Sequence, residues 1–125
     1  MIRGIYDPSK GVLIPLVIRG SDGADIDANA VLDTGFTGTL TLPHSLAEGL
    51  GLKAGPRIDL VLADGSVQSL ESYTAEVNWD GHWRPVLASA IGDQVLVGMR
   101  LLNGFRLRID VIPGGVVEIT SLLLS

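Results

Sequence analysis

The stretch Ala30-Val31-Leu32-Asp33-Thr34-Gly35-Phe36-Thr37-Gly38, continued by Thr39-Leu40-Thr41-Leu42-Pro43, decides how this chain is read. It is an apolar run that stops at a carboxylate. Desolvating a charged oxygen is costly unless partners compensate, so a carboxylate at the end of a buried strand points to chemistry. Asp33 is therefore the first candidate functional residue.

Upstream of Asp33 the pattern alternates, with Ile26, Ala28 and Ala30 on one face and Asp25, Asp27 and Asn29 on the other. This predicts a half-buried strand that delivers Asp33. The acidic positions Asp22, Asp25, Asp27 and Asn29 lack the spacing and the terminal Glu of an EF-hand loop, so they read as a solvated face. Further upstream, Leu13 to Ile18 is interrupted by Pro15 and ends in Gly20-Ser21-Asp22-Gly23, the pattern of an edge or bulged strand. Downstream, Leu40 to Leu42 predicts a short strand. Pro43 then opens a short helix with Leu46 and Leu50 on one face before Gly51.

The rest of the chain continues as strands and turns. Ile58 to Leu62 and Val67 to Val77 flank Ala63-Asp64-Gly65-Ser66, and Trp79 and Trp83 flank Asp80-Gly81. Asp-Gly between strand-like runs predicts a hairpin in both places. Val86 to Ile91 and Val95 to Val97 are apolar, and Gly98 to Asn103 is long enough for one helical turn. Phe105 to Ile112 alternates apolar residues with Arg106, Arg108 and Asp110, and Pro113-Gly114-Gly115 turns the chain into Val116 to Ile119. With no linker, repeat or low-complexity tract, residues 1–125 read as one all-β domain with one or two short helices.

Composition agrees and removes several function classes. The 125 residues are 46% hydrophobic and 18% charged, with 16 glycines and 6 prolines, which suits a sheet-rich domain with many tight turns. A formal charge of −5 with 5% aromatic residues argues against a phosphate-tracking surface with stacking platforms, so no nucleic-acid partner is expected. The absence of cysteine excludes disulfides and thiolate metal sites. No stretch approaches the roughly 18 apolar residues of a membrane span, and Met1-Ile2-Arg3-Gly4 lacks a signal-peptide pattern, so a cytoplasmic protein is the expectation. His44 and His82 stand alone, no Gly-x-Ser-x-Gly or phosphate-binding glycine loop occurs, and neither metal nor cofactor is expected. Trp79 and Trp83 read as core or hairpin packing rather than a ligand platform.

Three segments, in order, resemble the retropepsin-like aspartic proteases: Val31-Leu32-Asp33-Thr34-Gly35, the hairpin around Asp64-Gly65-Ser66, and Val95-Leu96-Val97-Gly98-Met99-Arg100-Leu101-Leu102. The resemblance implies a closed acid-protease barrel with Asp33, Thr34 and Gly35 at the catalytic turn. It also implies a flap over the substrate formed by Ala63, Asp64, Gly65 and Ser66, and a buttress beneath the turn formed by Leu96, Val97 and Gly98. Aspartic protease chemistry needs two carboxylates that share a proton. This chain carries a single Asp-Thr-Gly, and the Asp-Gly pairs at Asp22, Asp64 and Asp80 lie in turn contexts. The implied enzyme is therefore a homodimeric aspartic endopeptidase with one Asp33 from each subunit, acting on extended, partly hydrophobic peptides.

By the same resemblance Thr34 hydrogen-bonds across the twofold axis, Gly35 permits close backbone approach, and the apolar termini, Met1 to Ile5 and Val116 to Leu124, intertwine at the dimer interface. The sequence departs from the family at Phe36, where Ala or Ser is common. This ring reshapes or obstructs a subsite, and without a hydroxyl to donate to the carboxylate it implies activity extending toward weakly acidic or neutral pH. The competing reading is a catalytically silent barrel that binds peptides or dimerises partner proteins, because a fold does not fix its chemistry.

Overall fold

Apolar alternation and Gly-rich turns carry most of the chain into strands: 54% strand and 8% helix in a computed structural model that describes residues 1–123. The elements are β1 (Ile2–Asp7), β2 (Gly11–Arg19), β3 (Asp25–Leu32), β4 (Leu40–Leu42), α1 (His44–Gly49), β5 (Lys53–Ala54), β6 (Ile58–Val61), β7 (Val67–Leu70), β8 (Ser72–Trp79), β9 (His82–Ala90), β10 (Leu96–Val97), α2 (Met99–Leu102), β11 (Phe105–Ile109) and β12 (Val116–Ser121). A ten-stranded sheet runs in the order β11-β12-β1-β2-β3-β10-β4-β9-β8-β5. Its β2, β3, β10, β4, β9 and β8 close into a six-strand barrel through a second pairing of β2 with β8, Val17 opposite Asn78 and Arg19 opposite Glu76. β6 and β7 form a separate two-stranded hairpin.

Alternate residues of the barrel strands point inward. Ile14, Leu16 and Ile18 from β2, Ala30 and Leu32 from β3, Leu40 and Leu42 from β4, Val77 and Trp79 from β8, and Val97 from β10 form one core with Leu101 of α2. Burying side chains of this size contributes roughly 1.5–3 kcal/mol each against leaving them in water. Trp79 also meets Phe105 edge-on, with centroids 5.9 Å apart, which makes it a core residue. Trp83 lies under the Arg19 guanidinium at 3.8 Å, a cation–π contact on the β8–β9 hairpin. That hairpin turns on Asp80 (φ 53°) and Gly81 (φ 84°), the two positive-φ residues that a two-residue type I′ turn requires.

Two strand expectations are corrected. β2 is an interior strand, not an edge or bulged one. It pairs with β3 along its length, while its other side pairs first with β1 (to Leu13) and then with β8 (from Val17). Pro15 falls in the gap where the partner changes, so no neighbour on that side asks for its missing N–H. The run Val67 to Val77 is two strands, because at Glu71 the chain leaves β6 for β9. Glu71 accepts the Ala90 N–H at 2.9 Å, and the buried Ser72 hydroxyl donates to the Pro56 carbonyl.

The terminal strands pair with each other within the one chain, Ile2 opposite Ile119 and Ile5 opposite Val116, and the Met1 ammonium meets Asp80 at 2.5 Å. Val117 and Ile119 are buried in the chain's own core, whereas Met1, Ile5, Val116, Leu122 and Leu123 are exposed. Leu124 and Ser125 of the apolar C-terminal segment lie outside the described residues. Among the described residues no helix is long and apolar enough to cross a membrane.

Candidate functional site

β10 lies between β3 and β4, parallel to the first (Leu96 opposite Val31, Val97 opposite Leu32) and antiparallel to the second (Leu96 opposite Thr41). The segment from Asp33 to Thr39 joins β3 to β4 and therefore arches over the end of β10. The Asp33 N–H donates to the Val97 carbonyl at 2.9 Å. The N–H groups of Gly98, Met99 and Arg100 donate to the carbonyls of Thr39 (3.0 Å), Phe36 (2.8 Å) and Gly38 (3.1 Å). These are donors that the first turn of α2 cannot satisfy internally, and the arch supplies their acceptors. Val97 and Gly98 are thus hydrogen-bonded to the turn, and Leu96 just before them pairs with Val31 and Thr41 in the sheet.

Within that frame the Asp33 carboxyl is half-buried. Its Oδ1 accepts the Gly35 N–H at 2.9 Å, and the Phe36 N–H donates to the Asp33 carbonyl at 3.1 Å. Gly35 and Thr34 are exposed, and the Thr34 hydroxyl makes no hydrogen bond among the described residues. A Cβ on Gly35 would stand 3.3 Å from Asp33 Oδ1, so the glycine keeps the space beside the carboxylate open. The Phe36 ring folds back over two other glycines: a Cβ on Gly38 or on Gly98 would come within 2.6 Å of it.

Beside Asp33 is an open pocket of about 240 Å³, walled by Phe36, Leu60, Ile91 and Leu96 with Asp93 and Gln94 at its exposed side. Phe36 is a wall of this pocket. Thr41, 5% exposed, also lines it, and among the described residues the Thr41 hydroxyl has no partner. The hairpin enters through Leu60 of β6. Its tip residues, Ala63, Asp64, Gly65 and Ser66, are exposed and stand apart from the pocket lining in this single chain. The tip is held locally: Asp64 accepts the Ser66 hydroxyl at 2.6 Å and the Ser66 N–H at 2.9 Å, which lowers the Asp64 pKa below its ordinary value. The hairpin also exposes Val61, Leu62 and Val67.

Motif reading missed Leu60, Ile91, Asp93 and Gln94. Only the apolar Val95–Val97 run just after them hints at their place. It also missed a cluster at the hairpin base, where His44 at the start of α1 meets Glu48 (3.0 Å), Glu71 (3.3 Å) and the Tyr73 hydroxyl (3.2 Å). Burial and then the Glu71 and Glu48 charges push the Tyr73 phenol above its usual range. His44 is a hydrogen-bonded structural residue. Among the described residues no His, Asp and Glu side chains are grouped to hold a metal ion. No protein-family model matches this sequence, and no curated protein matches it.

Proposed function

We propose that the protein is a retropepsin-like aspartic endopeptidase, active as a homodimer. The observation that carries this reading is the half-buried Asp33 carboxyl, held at a pocket mouth by the arch over β10 and oriented by the Gly35 N–H. Asp93 shares the pocket but is exposed, and among the described residues no hydrogen bond fixes it, so the second carboxylate is assigned to the Asp33 of a second copy. The unpartnered, exposed Thr34 hydroxyl supports the same assignment, since it is free to bond across a twofold axis.

Two facing carboxylates hold one proton between them, because a second charge is repelled in a poorly solvated site. The ionised member takes a proton from a water molecule as the water oxygen attacks the scissile carbonyl carbon, and the protonated member gives its proton to the carbonyl oxygen. The tetrahedral diol collapses as the C–N bond breaks, the nitrogen leaves protonated, and one proton remains on the pair. Rigid backing matters here, since misplacing catalytic groups by about 1 Å can cost about 100-fold in rate.

The test is cleavage of a diverse peptide library across pH by wild type and Asp33→Asn, with oligomeric state recorded by sedimentation in the same buffers. Asp33→Asn lowers cleavage by at least about 1000-fold while leaving the fold intact, and wild-type activity tracks the dimer. A well-folded dimer that cleaves nothing overturns the reading in favour of a peptide-binding or dimerisation module.

A further inference from the structure

The pocket beside Asp33 has an uneven chemistry that a purely hydrophobic side chain leaves unused. Its walls, Phe36, Leu60, Ile91 and Leu96, are apolar, yet the exposed side carries Asp93. Among the described residues Asp93 has neither an ion pair nor a hydrogen bond. Lys10, which lines a neighbouring groove with Asp93, forms no ion pair with it. Among the described residues no Lys or Arg lines the pocket. An apolar channel that opens onto an uncompensated carboxylate matches a side chain with an aliphatic stem and a cationic end, which buries its methylenes and keeps its charge in water. The chain's net charge of −5 also favours approach of a basic segment.

We propose that this pocket takes a lysine or arginine side chain of an extended peptide, next to the bond presented to Asp33, and that Asp93 is its specificity-determining residue. The inference rests on the protease reading for what happens to the peptide, but the pocket's preference is a binding property measurable without cleavage. An ion pair at a solvent-exposed rim is weak and screened by salt, so the selectivity is modest and falls as ionic strength rises.

The experiment uses matched peptides that differ only in lysine or norleucine at the position a randomised library selects. Cleavage is measured with wild type, Asp93→Asn and Asp93→Glu at low and high salt, and binding of the same peptides to Asp33→Asn and to Asp33→Asn with Asp93→Asn is measured by fluorescence anisotropy. The expected result is a lysine-to-norleucine ratio of kcat/KM that falls about three- to tenfold in Asp93→Asn, returns in Asp93→Glu and shrinks with salt. Cleavage with no lysine preference, or with a preference unchanged in Asp93→Asn, overturns the inference and leaves the protease reading standing. No cleavage, with lysine-selective binding that Asp93→Asn removes, supports the pocket assignment and overturns the protease reading. Neither cleavage nor binding overturns both.

Discussion

Phe36 follows the Asp-Thr-Gly turn, and its ring accounts for two glycines distant in sequence. It covers Gly38 on the arch and Gly98 at the start of α2, and a Cβ on Gly98 would also collide with the Gly38 carbonyl oxygen. A side-chain ring can yield, but that carbonyl is already the acceptor of the Arg100 N–H and cannot move without breaking the arch. Gly98→Ala therefore destabilises the fold by about 3 kcal/mol in urea unfolding, and adding Phe36→Ala restores only part of the loss. A Gly98→Ala chain within about 0.5 kcal/mol of wild type would refute this packing. Asp33 was legible in the sequence because the apolar approach and the Asp-Thr-Gly turn are local. The seat of the Phe36 ring and the arrival of Leu60, Ile91 and Asp93 at the pocket were not, because these residues are far apart in sequence and meet only through the tertiary placement of the barrel and the separate β6–β7 hairpin.

At the level of elements, the β6–β7 hairpin is the most independent piece of the molecule. It shares no ladder with the large sheet and is anchored at its base, where the His44 cluster joins α1 to Glu71 and where Arg57 bonds the Ser69 hydroxyl (2.9 Å) and carbonyl (3.1 Å). Its turn depends on an ionised Asp64. The folded-state pKa lies below the ordinary 3.8, so the turn's contribution is fully present above that value and is lost only as pH falls through the lowered one. The hairpin turn thus persists in mild acid. Ser66→Ala raises the Asp64 midpoint toward 3.8, read by NMR of the side-chain carboxyl, and an unchanged midpoint would remove Ser66 as the cause. Both hairpins could be read from Asp-Gly between apolar runs. The interior place of β2 could not, since Pro15 signals an edge locally and only the exchange of β1 for β8 beside it makes an interior strand acceptable.

Across the whole molecule, a mostly β architecture followed from composition and turn spacing, whereas barrel closure depends on a pairing between residues 17–19 and 76–78 that no local pattern announces. The exposed apolar surface has a definite place in it. Val116 pairs with Ile5, Ile5 with Leu13, and Leu13 with Val31, so Val116 stands about 14 Å across the sheet from the strand that ends at Asp33. Val111 and Ile112, 68% and 63% exposed, sit on the turn that hydrogen-bonds to Tyr6 beside them. Under the proposed function this is where a second copy packs. Val111→Glu combined with Ile112→Glu shifts sedimentation to the monomer and removes cleavage together, and a dimer that persists with full activity would place the interface elsewhere.

The borders of the ten-stranded sheet carry a further consequence. At one end β11 alternates its apolar residues with the exposed Arg106 and Arg108, and at the other β5 is two residues long. A cationic row and a stub are both poor templates for another chain, so the large sheet resists runaway growth into aggregates. Among the described residues β6 and β7 have each other on one side and no strand on the other. Under the proposed function, the outward main-chain groups of this hairpin, whose Leu60 reaches the Asp33 pocket, are where an extended peptide is expected to add as a further strand.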